Sequence, residues 1–169
     1  LVPTTLKLPE LAYHGSTKDI RSHTEYFDER SILVDEFMIP RREERIADWL
    51  LYFHQKVRPL SEYRFILLDI PGTYPKTFRL MRRLAPQTQL MFRSHNAEFY
   101  HRLDWMNAEA NWLNKAKFFK QAIQGLWGDY QTARVADAIL PITSWDADTY
   151  WKKLVRKNRK WRIQAVPYF

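Results

Sequence analysis

The 169-residue chain has no cysteine. Disulfide staples, thiolate metal sites and a cysteine nucleophile are therefore excluded, and the redox compartment stays open. Glycine is scarce, at four residues, and no Walker loop, G-x-G-x-x-G turn, G-x-S-x-G elbow or H-E-x-x-H helix can be drawn from the sequence. No apolar run approaches the roughly 18 to 20 residues that a membrane-spanning helix needs, and the start resembles no signal peptide. Low-complexity tracts are absent as well. What is present, 46% hydrophobic, 15% aromatic and 27% charged residues, fits a single compact domain over residues 1–169 with a sizeable core. Leu1-Val2-Pro3 lacks an initiator methionine and reads as a strand end entering a loop, so the natural protein is expected to begin upstream.

The charge is uneven. Of the net +8, Lys152, Lys153, Arg156, Lys157, Arg159, Lys160 and Arg162 supply seven in an acid-free stretch; without them 20 basic residues face 19 acidic ones. This is a local footprint for a phosphate-bearing partner, nucleic acid or anionic lipid, and not a wholly basic protein. His14, His23 and His54 have no metal partners at ligand spacing and read as loop or surface residues.

Apolar periodicity alternates between strand and helix. Residues 3 to 30 read as loop with one short helix at most. Ser31 to Ile39 reads as a strand, Arg41 to Val57 as a helix with Ile46, Trp49, Leu50 and Phe53 at helical spacing, and Arg64 to Ile70 as a strand buried on both faces. There follow a helix over Thr77 to Leu84, a strand over Thr88 to Ser94, one long helix over Asp104 to Arg134 and a strand over Ala136 to Ile142. A helix from Trp145 to Val155, capped by Thr143 or Ser144, leads to a last strand over Trp161 to Val166. Such alternation predicts an α/β, three-layer Rossmann-like sandwich with a mainly parallel sheet.

In sheets of this kind ligands bind beyond the carboxyl ends of the strands. The loops to inspect are Asp69 to Thr73, Ser94 to Glu98 and Pro141 to Ser144. His95, Asn96 and Glu98 place an imidazole, an amide and a carboxylate in one small space, suited to a hydroxyl-rich ligand. Satisfying loop carbonyls and capping the next helix explains His95 and Asn96 equally well. Asp69 is expected to organise its loop, with acceptance from a ligand hydroxyl as the alternative.

Three strings resemble one family. Phe92-Arg93-Ser94-His95-Asn96-Ala97-Glu98 is similar to the strand and H-N-x-E element in the N-terminal, acceptor-side domain of GT-B glycosyltransferases of the retaining, family-four type. Ala136 to Asp146 resembles their A-D segment, in which a strand ends at a serine or threonine opening a helix. Ile163 to Phe169 is similar to the strand ending in Val-Pro that leads to the interdomain hinge. The resemblance covers residues 60 to 169; the family's Gly-rich loop after the first strand has no counterpart here, and neither does the nucleotide-sugar-binding C-terminal domain.

The resemblance implies half of an enzyme, inactive alone, that transfers a sugar from a nucleotide-diphosphate donor to a glycan or lipid-linked acceptor with retention. It implies no cofactor and no obligatory metal; the expected place is cytoplasmic, and attachment to the inner membrane face is an alternative that rests on the tryptophans and the basic stretch, not on the resemblance. His95 would contact the donor sugar near the reacting centre, Asn96 and Glu98 would support or cap, and Thr143 and Ser144 would line the cleft floor.

Trp105, Trp112, Phe119, Ile123 and Leu126, widened by Phe118 and Trp127, form a helical stripe with Lys115, Lys117 and Lys120 nearby. The stripe is expected to pack on the sheet and the C-terminal patch to be a solvated face, with an anionic leaflet as the competing partner. A nucleic-acid-binding module is the rival from another class, although no nucleic-acid-binding signature is visible; a non-catalytic carbohydrate- or membrane-surface module that keeps the fold without its partner domain is a third reading.

Overall fold

The computed structural model describes residues 2–3, 26–27, 29–32, 35–37, 43–69, 74–155 and 162–167. Strands β1 (Val2–Pro3) and β2 (Glu36–Phe37) pair in parallel, and β1 lies beside β3 (Phe65–Asp69). With β4 (Gln89–Ser94) and β5 (Ala138–Pro141), β3 forms a three-stranded parallel sheet in the order β3-β4-β5. Its register sets Asp69 opposite Arg93 and Ser94 opposite Pro141. The helices are α1 (Glu43–Lys56), α2 (Pro75–Leu84), α3 (Glu98–Ala108) and α4 (Trp112–Val135). A π-helical segment, Asp146–Trp151, then runs into a single turn, α5 (Lys152–Leu154). The fold is mixed α/β with a small open parallel sheet, compatible with the Rossmann-like class.

The central strands form where the sequence is apolar without interruption. Ile66, Leu67 and Leu68 of β3 are all buried, as are Leu90 and Phe92 of β4, because helices cover a parallel sheet and leave its strands no wet side. From α1, Ile46, Leu50 and Phe53 reach the core at helical spacing. Pro75 opens α2, where its fixed φ and missing N–H cost nothing, and Phe78 and Met81 point inward. Phe92 sits edge-on to both Phe78 (5.7 Å) and Trp151 (5.8 Å), so the sheet centre touches a helix and the π-helical segment at once.

The amino edge of the sheet is locked by charge. Asp137 accepts from the Leu90 N–H at 2.9 Å and pairs with Arg82, whose guanidinium also donates to the Pro86, Thr88 and Val135 carbonyls. Asp137, immediately before β5, therefore joins α2, β4 and β5.

Four expected elements differ. Ser31 has φ 53°, in the left-handed region, so the chain turns there; of the strand expected over Ser31 to Ile39 the described part is Glu36–Phe37, while Leu33, Val34, Met38 and Ile39 lie outside the described residues. Toward the C-terminus, the last strand shrinks to one bridge between Ile139 and Ile163, extended by donation from Gln164 N–H to the Ile139 carbonyl and from Val166 N–H to the Pro141 carbonyl. Buried Arg93 donates to the carbonyls of Val166 and Pro167 and ties this segment to β4. The helix expected from Trp145 to Val155 is instead π-helical over most of its length.

The long helix expected over Asp104 to Arg134 is two helices. Asn111 Oδ1 accepts from the N–H groups of Leu113 (2.9 Å) and Asn114 (3.3 Å), capping α4, while Glu109 accepts from Asn111 N–H at 2.9 Å. That bond holds the Glu109 carboxyl below its usual range. Side-chain bonds to the backbone outcompete helix continuation here. Replacing Asn111 with Ala should lower stability by about 1 kcal/mol in urea denaturation, and an unchanged midpoint would show that the cap contributes nothing.

Candidate functional site

The carboxyl edge of the sheet carries a buried acid–imidazole pair. Asp69 ends β3 and His95 follows β4; His95 Nε2 lies 2.5 Å from Asp69 Oδ1, and the two residues are 1% and 8% exposed. The bond between the two side chains fixes the orientation of the imidazole ring. Parallel pairing makes the contact possible, because Asp69 is level with Arg93 and side chains two residues apart on β4 share a face.

A second set of bonds shapes the His95 loop. Trp151 Nε1–H donates to Ser94 Oγ at 3.0 Å, and Ser94 Oγ–H donates to the Asn96 carbonyl, also at 3.0 Å. Trp151 is fully buried and Ser94 nearly so. Through this relay the π-helical segment sets the turn on which His95 stands, and Ile142 N–H, bonded to the Ser94 carbonyl, draws the loop after β5 alongside.

Other expected site residues fall differently. Asn96 is exposed and takes part in the loop through its backbone. Neither it nor Glu98 caps α3, whose N-cap, Ala97, makes no side-chain bond. Glu98, largely buried, faces Arg102 at 3.5 Å and exerts its charge on Asp129 and Tyr150. Between the two capping candidates the structure selects Thr143, whose Oγ1 accepts from Asp146 N–H at 2.9 Å and donates to Asp146 Oδ2 at 2.7 Å, while Ser144 is exposed. The stretch that lacks acids in sequence meets them in space: Lys152 pairs with Asp148, and Arg162 lies 3.8 Å from Asp137. Lys153 is exposed; Arg156, Lys157, Arg159 and Lys160 lie outside the described residues.

Two concavities among the described residues lie away from His95. One, of about 630 Å³, is lined by Lys76, Arg79, Arg82, Arg83 and Val135; the other lies by Gln89, Asp137 and Ala138 at the amino edge. No cluster of metal-ligating side chains occurs among the described residues.

Sequence reasoning missed a buried polar centre on α4. Tyr150 donates to Asp129 Oδ2 at 2.6 Å, with Asp129 1% exposed. Burial, opposed by the Tyr150 bond and reinforced by the Glu98 charge, pushes the Asp129 carboxyl up to about 8. Burial likewise raises Tyr150, and Asp129 adds to the shift. The available signal was that Asp129 is the lone acid of α4, on a face otherwise made of Ala122, Gly125, Thr132 and Ala133.

No protein-family model matches the chain, and no curated protein or solved structure shows significant similarity to it.

The Asp129 shift has a sign that can be measured. A carboxyl raised from 3.8 to about 8 on folding keeps its proton in the native state while the unfolded state loses it, so stability falls as pH rises through that window. The slope from this group is at most about 1.4 kcal/mol per pH unit. Asp129→Asn can still accept from Tyr150, so it should flatten the decline and be more stable than the wild type at pH 8. Parallel stability–pH curves for the two proteins would refute this assignment.

Proposed function

We propose that this chain is the acceptor-side domain of a GT-B-type glycosyltransferase of the retaining, family-four kind. It would work with a second α/β domain that binds the nucleotide-diphosphate sugar. The observation that carries the reading is the buried Asp69–His95 pair at the carboxyl ends of neighbouring parallel strands, where α/β folds of this architecture take their ligands. Three further features support it. The parallel pair β1–β2 lies beside β3, the strand whose carboxyl end carries Asp69. The histidine stands in the H-N-x-E string that the family resemblance singles out. The segment ending in Val166-Pro167 is anchored at the same edge by Arg93.

In this reading the donor's anomeric carbon breaks its bond to the diphosphate and forms one, on the same face, to an acceptor hydroxyl, whose proton passes to the departing diphosphate. The chain contributes position and electrostatics. Asp69 holds the His95 imidazole at one angle, the Trp151–Ser94 relay holds the loop beneath it, and His95 orients the sugar and stabilises charge as the diphosphate departs. No cofactor beyond the donor is needed. Thr143, tied to Asp146, keeps the loop after β5 in place, and both Thr143 and Ser144 are exposed there for an acceptor to meet. Nucleic acid fits less well as a partner, since Lys152 and Arg162 of the basic stretch already face carboxylates.

The test is transfer from a panel of radiolabelled UDP-, GDP- and TDP-sugars into detergent-solubilised lipid extract by the full natural polypeptide. His95→Ala should reduce kcat/KM by about 10²- to 10³-fold with an unchanged circular dichroism spectrum. Asp69→Asn should reduce it less, because the imidazole remains but its orientation is loosened. Consumption of no donor by the wild type, or full activity in His95→Ala, would overturn the proposal.

A further inference from the structure

The aromatic stripe of α4 does not pack on the sheet. Trp112 is 72% exposed, Phe119 51%, Ile123 46% and Trp127 61%, and Tyr130 continues the row. At 100° per residue these five side chains fall within about 80° of one another on the helix. The buried side of α4 is instead the small one, Ala122, Asp129, Thr132 and Ala133, with Gly125 against α3: a Cβ on Gly125 would come within 3.3 Å of Glu98 Cβ. Of the predicted stripe, Leu126 packs against the core, while Trp112, Phe119, Ile123 and Trp127 face outward, against the expectation from the sequence.

We propose that this outward face of α4 is a docking surface for an anionic lipid bilayer. Charge complementarity selects the partner. Lys115, Lys117, Lys120 and Arg134 flank or share the stripe, while the one acid of the helix, Asp129, is buried behind it. Such a helix lies in the plane of the headgroups, its apolar side chains about 5 to 10 Å deep and its lysines snorkelling to phosphate. Indoles prefer that boundary, where the ring is apolar and the N–H stays wet. The 24-residue helix provides about 36 Å of contact along the surface.

Two other occupants fit less well. A second copy meeting this face symmetrically would set lysines against lysines and arginine with no acid to answer them. A nucleic-acid strand would satisfy the cations and stack on the indoles, but would leave Ile123 and Leu113 without a use. No helix among the described residues is long and apolar enough to cross a membrane, so the contact is with the surface.

The inference does not depend on sugar transfer, and its experiment uses no donor. The full natural polypeptide is sedimented with vesicles of phosphatidylcholine alone and of equimolar phosphatidylcholine and phosphatidylglycerol. Binding should be confined to the anionic vesicles and weaken with salt. The double variant Trp112→Ser/Trp127→Ser and the charge variant Lys115→Glu/Lys120→Glu should each lower partitioning at least about tenfold. All four positions are exposed, so circular dichroism should be unchanged. Equal binding to neutral vesicles, no binding to either, or wild-type binding by both variants would overturn the proposal. So would a dimer by analytical ultracentrifugation that Trp112→Ser/Trp127→Ser abolishes, or salt-sensitive binding to a single-stranded oligonucleotide in place of vesicles.

Discussion

A single buried hydrogen bond, from Tyr150 to Asp129, decides which side of α4 faces the protein. A carboxyl group taken out of water needs a partner, and Tyr150 provides the donor at 2.6 Å. Meeting that requirement turns the small residues of α4 inward and lets α3 approach closely at Gly125. It also turns Trp112, Phe119, Ile123 and Trp127 toward solvent. The same bond holds the π-helical segment against α4, and the neighbouring Trp151 reaches Ser94 from there. The orientation of one helix and the loop that carries His95 thus share one anchor.

The sheet divides its two ends between different duties. At the amino edge, Asp137 and Arg82 bind backbone from three elements together, with charged partners already committed to one another. At the carboxyl edge, the buried groups hold side chains in place: Asp69 orients His95, and Ser94 shapes its turn. Arg93, buried between them in sequence, uses its guanidinium on the carbonyls of Val166 and Pro167. A buried cation is tolerable only when its donors are occupied, and carbonyls released where the last strand frays supply acceptors.

Much of the fold was legible because burial writes itself into apolar runs. The strands β3, β4 and β5 and the helices α1 and α2 fall close to where the sequence places them, over Arg64 to Ile70, Thr88 to Ser94, Ala136 to Ile142, Arg41 to Val57 and Thr77 to Leu84. What periodicity could not show was direction. A stripe of Trp, Phe and Ile at helical spacing is the usual mark of a core-facing side, and only the tertiary partner Tyr150 reveals that the helix faces the other way. Local side-chain chemistry was a second blind spot: Asn111 splits a continuous helical pattern by capping, and Thr143 takes the cap that Ser144 could equally have taken. Distant pairing was a third, since nothing near Arg162 in sequence foretells Asp137 as its neighbour. Of the candidate site, the loops were readable from the α/β pattern, and His95 and Asp69 were both in view; that they touch depends on strand register, which sequence does not print.

The outward stripe is thermodynamically costly in water. A fully buried Trp, Phe or Ile side chain is worth about 1.5 to 3 kcal/mol relative to exposure, and α4 forgoes most of that at several positions while inviting association. A polar substitution at Trp112 or Trp127 would cost the described fold little, since neither side chain contributes to its core. The stripe is therefore not explained by folding stability, and the sense of its charge points to what it does serve. Because α3 begins three residues after His95 and packs along α4, a surface holding α4 also holds the loop of the Asp69–His95 pair. Docking and chemistry would then share one rigid unit, with the buried Asp129–Tyr150 bond as the joint between them.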